Sequence, residues 1–147
     1  MTWVQRLIGW SLPLLLTLMP VSAAVAAADA DPLPRLFDRA LLLSRAGDPQ
    51  GALPIWDQVL EIAPRDAAAF SNRGNVRLML GDLEGAIADQ THSLELAPND
   101  ADPHLNRGTA EEALEHWSEA AADYDWILER DPSDASALYI LGNVRGS

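Results

Sequence analysis

Three histidines recur at an even spacing of twelve: His92, His104 and His116. Imidazole is a common zinc ligand, so the set raises a metal reading. The spacing speaks against it. Two ligands on one helical face need an i, i+4 relation, and a step of twelve scatters the three over different segments. Carboxylates pair at Asp100 and Asp102 and again at Asp123 and Asp125, with no glycine-containing calcium loop around them. Paired carboxylates do acid–base work only in a pocket, and nothing in the sequence marks one. Both groups read as surface, packing and capping residues. The chain has no cysteine, which removes thiolate metal sites and a cysteine nucleophile. No nucleophile elbow, phosphate loop or dinucleotide fingerprint occurs. No catalytic activity, metal or cofactor is expected.

The elements that must carry these side chains follow from composition and periodicity. The 147 residues hold a net charge of −12, with an isoelectric point near 4.4. That balance excludes a nucleic-acid partner, whose binding needs clustered cations to displace counterions. All ten basic residues are arginine. Alanine and leucine dominate, which favours helix.

The first 28 residues form a separate object. Met1 to Arg6 carries one positive charge, and Leu7 to Ala28 carries none. A bulky apolar stretch runs to Val21, broken by Pro20, and Ser22 to Ala28 is built of small residues. That order is a secretory signal, with Ala26-Ala27-Ala28 and Ser22-Ala23-Ala24 as cleavage sites. The other reading is an uncleaved membrane anchor, since about 20 apolar residues span a bilayer. Any membrane contact is expected only through this leader. A short linker, residues 29–32, follows.

From Leu33 onward the chain repeats every 34 residues, marked by Pro64, Pro98 and Pro132. The units are 33–66, 67–100 and 101–134, and a half unit occupies 135–147. The second and third agree at twelve positions without a gap, among them Asn72/Asn106, Arg73/Arg107, Gly74/Gly108, Ala86/Ala120 and Asp89/Asp123. Each unit reads as two helices. Gly47-Asp48 and Gly81-Asp82 end one helix and cap the next, and the proline stops the second. Small residues recur where two helices approach: Gly74, Gly108 and Gly142 at position 8, Ala52, Ala86 and Ala120 at position 20. Unit one diverges most, with Ala40 at position 8 and Pro54 inside its second helix, where it removes a hydrogen bond. Unit three has Glu115-His116 in place of Gly-Asp.

The small residue at 8, alanine at 20, aromatics at 24 (Trp56, Tyr124) and proline at 32 resemble the tetratricopeptide repeat (TPR) family. The resemblance covers Leu33 to about Arg145. It implies an all-α solenoid of helical hairpins, about three and a half repeats and seven helices, wound as a right-handed superhelix. It also implies a concave groove lined by first helices. The matching positions give Phe37, Leu41 and Arg45 in unit one, Ser71, Asn72 and Asn75 in unit two, Leu105, Asn106, Thr109 and Glu112 in unit three, then Tyr139 and Asn143. Such a wall suits a peptide or partner helix. Asn72 and Asn106 either offer amides to a peptide backbone or satisfy backbone groups of the array itself.

Chaperone-binding TPR members clamp a C-terminal carboxylate with Lys, Asn and Arg. Here Asp102 and Asn106 stand where cations are needed, so that ligand is not expected. Acidic residues instead favour a basic partner by steering its approach. Trp126 is read either as an exposed anchor for a partner or as packing.

The expected protein is an exported interaction module of a periplasm or thylakoid lumen. The alternative is a structural, self-associating spacer of a larger envelope or lumenal protein. Removal of 28 residues leaves 119, three and a half units of 34. The half unit holds Leu138, Tyr139, Ile140, Leu141 and Val144 with no second helix to cover them. That suits a piece of a longer protein, or self-association through the last helix.

Overall fold

Aspartates set the helix starts. Asp48 accepts from Gly51 N at 2.9 Å, Asp66 from Ala69 N at 2.9 Å, and Asp82 from Gly85 N at 3.1 Å. Asp100 accepts from Asp102 N at 3.2 Å, and Asp134 from Ala137 N at 2.8 Å. Each satisfies a backbone donor that the helix leaves unpaired.

The computed structural model describes residues 32–146. The leader, read as 1–28, and linker residues 29–31 lie outside the described residues. Seven helices follow in order: α1 Pro32–Arg45, α2 Pro49–Ile62, α3 Ala67–Leu80, α4 Leu83–Leu96, α5 Ala101–Ala113, α6 Trp117–Leu128 and α7 Ala135–Gly146. No strand occurs among the described residues. No described helix is long and apolar enough to cross a membrane. Pro32, placed in the linker by the sequence, is the first residue of α1, a position proline tolerates. Pro54 lies inside α2, and the helix runs on past it to Ile62.

Each helix packs on the next, and the first helices also touch, α1 with α3 and α3 with α5. First helices therefore make one layer of the array. Two apolar clusters hold it together. Ala40, Ala52, Trp56, Val59, Ala69 and Val76 are wholly buried in one, and Ala120, Tyr124 and Ala137 in the other. Burying an aromatic ring of this size contributes at most about 4–6 kcal/mol before entropy is counted. Between the clusters α4 buries polar groups: Asp89, Gln90 and Ser93. Gln90 occupies the position that Trp56 and Tyr124 hold in the neighbouring hairpins.

Positions 8 and 24 meet. A Cβ on Gly74 would stand 2.7 Å from Gln90 Nε2, and one on Gly108 would stand 2.8 Å from Tyr124 Cε1. The close approach expected from the small residues is present there. It is absent at Gly142, where an added Cβ meets nothing within 4 Å. No described helix follows α7, so nothing presses on that glycine.

The third hairpin turns without glycine. Glu115 takes φ 63, the left-handed value that Gly47 (φ 73) and Gly81 (φ 78) supply in the other two turns. Such a value strains a residue with a Cβ. His116 then sits at the α6 N-cap without a side-chain cap bond. Its Nδ1 instead lies 2.7 Å from Glu111 Oε2.

Candidate functional site

Between α3 and α5 the first-helix layer opens into a recess of about 350 Å³, lined by Ala68, Ser71, Asn72, Asn75, Asp100, Asp102 and Asn106. Ser71, Asn72, Asn75 and Asn106 of the expected groove stand together there. Asn72 donates Nδ2 to Ala68 O one turn back, at 2.8 Å, which leaves its Oδ1 as an acceptor. Gln90 supports the wall from behind by donating Nε2 to Ser71 O at 3.0 Å. Asp100 and Asp102 give the recess its charge, and no arginine lines it.

The other expected groove residues do not line this recess. Phe37 meets Trp56 edge-on, ring centroids 5.0 Å apart, and Leu41 packs on the same apolar cluster. Arg45 is exposed at the end of α1. Leu105 packs on the second cluster. Thr109 returns its hydroxyl to Leu105 O at 2.8 Å, and Glu112 accepts from the Tyr124 hydroxyl at 3.4 Å. Tyr139 is 73% exposed on α7. Asn143 belongs to α7, and its side chain lies outside the described residues.

The arginines of this region face elsewhere. Arg73 holds Asp89 through Nε at 2.8 Å and Nη2 at 2.7 Å, and reaches Asp57 with Nη1 at 2.9 Å. Arg107 holds Asp123 at the same two distances and reaches Thr91 with Nη1 at 3.2 Å. Every one of these partners lies sixteen residues away, forward on the helix of its own hairpin or back on the preceding one. Bidentate bonds to a carboxylate are the strong form of this contact. Hydrogen bonding to Asp89 and Asp123 raises the proton affinity of both guanidinium groups above the ordinary arginine value. Arg77 adds a third contact to Asp89 at 3.1 Å. The sequence shows these residues recurring in register, but the pairing needs the fold that lays position 7 against position 23.

The histidines serve as packing and hydrogen-bonding groups. His104 is buried, donates Nδ1 to Asp123 at 2.7 Å and stacks on Trp126 at 3.8 Å. Arg130 covers the same indole at 3.6 Å, so Trp126 is sandwiched rather than presented as a free anchor. His92 lies against Phe70 at 4.3 Å. Among the described residues no three His, Cys, Asp or Glu gather as a metal site.

A family model described as tetratricopeptide repeat matches residues 37–101 and 105–145. The chain belongs to the tetratricopeptide repeat family. Its all-α hairpin array is the TPR fold. The TPR domain of Arabidopsis OM64 is similar at a TM-score of 0.75 and 22% identity, over 79% of this chain and 96% of that one. The second TPR domain of human RPAP3, solved with the HSP70 peptide SGPTIEEVD, is similar at 0.72 and 22% identity, over 77% and 94%. The first TPR of Spaghetti (RPAP3), bound to the HSP90 peptide SRMEEVD, is similar at 0.66 and 22% identity, over 74% and 92%. No curated sequence matches this TPR chain significantly.

Proposed function

We propose that this TPR protein is an exported interaction module that binds a peptide or partner helix along its first-helix layer and performs no chemistry. The recess between α3 and α5 carries the reading. It gathers four groove residues, Ser71, Asn72, Asn75 and Asn106, with polar groups turned to solvent on a rigid helical support. Similar TPR folds are solved with peptides bound. Export rests on the charged start, apolar stretch and small residues of 1–28, and the destinations it suits are a periplasm or thylakoid lumen.

A photo-crosslinking residue at position 75 tests the groove in cells that make the protein, with one at exposed position 119 on α6 as control. Crosslinking to a polypeptide from 75 and not from 119 is expected. Equal yields, or none from 75, would overturn the reading. Fractionation with sequencing of the mature N-terminus tests export.

A second reading is self-association through α7, where Leu138 is 50% and Tyr139 73% exposed. Growth in sedimentation coefficient with concentration would favour it.

A further inference from the structure

The recess is rich in acceptors. Asp100 and Asp102 bring two carboxylates, and Asn72 brings a carbonyl oxygen whose amide partner is already bonded to Ala68 O. Asn75 and Asn106 face the same space. Arg73, Arg77 and Arg107, the arginines of residues 67–113, are all bonded to aspartates of α2 and α4 or of α6. None of the three pairs with Asp100 or Asp102. The whole chain adds to that field with a net charge of −12. Similar folds hold peptides ending in EEVD, which carry the sign of charge this recess would repel.

We propose that the recess between α3 and α5 receives a basic side chain of a bound peptide, arginine above all, with Asp100 and Asp102 facing its positive head. This deepens the peptide-binding reading and rests on it. Arginine fits the acceptor set because its planar fork presents five donors in fixed directions and stays charged at any physiological pH. The Asn75 and Asn106 amides remain free to pair with the peptide backbone on either side. At about 350 Å³ the space lies near the lower end of ligand pockets, a size for one side chain and its flanks.

The test is selection of a random displayed heptapeptide library on the full chain, followed by titration of the best peptide. Enriched peptides are expected to carry Arg, with Lys second, and to be poor in Asp and Glu. Affinity should fall with added salt. Asp102→Asn should weaken the peptide by about fivefold at low salt, the ceiling for an exposed pair. Asp102→Arg should move selection towards acidic peptides. Glu84→Gln, an equal charge change on α4, should leave affinity unaltered. Circular dichroism of each variant confirms folding.

Enrichment of neutral or acidic peptides would overturn the charge assignment and leave the groove standing. So would a basic peptide indifferent to Asp102→Asn, or equally weakened by Glu84→Gln. Failure to enrich any peptide would overturn the groove reading itself, and this inference with it.

Discussion

Gly108 and Tyr124 are in such close contact that a single added carbon on Gly108 would stand 2.8 Å from Cε1 and 2.9 Å from Cζ of the ring. Tyr124 is wholly buried and fills the angle between α5 and α6. The aromatic ring cannot retreat into a packed interior.

Gly108→Ala should therefore destabilise the protein by about 2 kcal/mol, the usual cost of overpacking. Gly142→Ala should do the opposite. Its Cβ meets nothing within 4 Å, so the helix-forming advantage of alanine, about 0.5–1 kcal/mol, is gained without a clash. Urea denaturation of the two variants separates packing from register, since the two glycines hold the same repeat position.

The Arg107–Asp123 pair should be costly to break from one side. The Asp123 side chain is 4% exposed, so Arg107→Met leaves a buried carboxylate with only His104 beside it. A loss of about 3 kcal/mol is expected. Arg107→Met combined with Asp123→Leu should lose less than the two single changes together, because no buried charge then lacks its partner. A double-mutant cycle by urea denaturation measures the difference.

Glu115→Gly should stabilise the turn between α5 and α6. The residue holds φ 63, where a Cβ costs about 1 kcal/mol that glycine does not incur. A rise in melting temperature checks this. A change to glycine at Arg65, on an exposed turn, is the control.

Stability should fall in alkali through Tyr124. Burial, with Glu112 and Asp123 nearby, pushes its hydroxyl up to about 12. In the unfolded chain a tyrosine ionises near pH 10. Between those values the folded state keeps a proton that the unfolded state has released, so stability drops as pH rises from about 10 to 12. Below pH 10 this contribution is fully present. Alkaline unfolding of Tyr124→Phe should show a shallower decline over that window.

Much of this was legible in the residues. The 34-residue period, the Gly-Asp punctuation and the prolines place the helices, because capping, left-handed turns and helix termination are local effects. Four groove residues fall in one recess because repeats carry equivalent positions to equivalent places. What stayed hidden depends on neighbours distant in sequence. Phe37 and Leu41 carry groove positions yet pack on the first apolar cluster. Gln90 takes the place of an aromatic because the middle hairpin buries an amide, bonded to Ser71 O, where the others bury a ring. Asp100 faces the recess from a cap position that local rules assign only to the helix start.

The sixteen-residue reach of the arginines has a consequence for how the array comes apart. Arg73 touches three successive helices, α2, α3 and α4, and Arg107 touches α4, α5 and α6. Neither hairpin can swing away from its predecessor without releasing a side chain that also braces its own interior. Helix α4 belongs to both spans, so an opening that starts at one end must pass through it to reach the other. The backward links differ in kind, carboxylate at Asp57 and hydroxyl at Thr91. Added salt should loosen the first junction and leave the second nearly untouched.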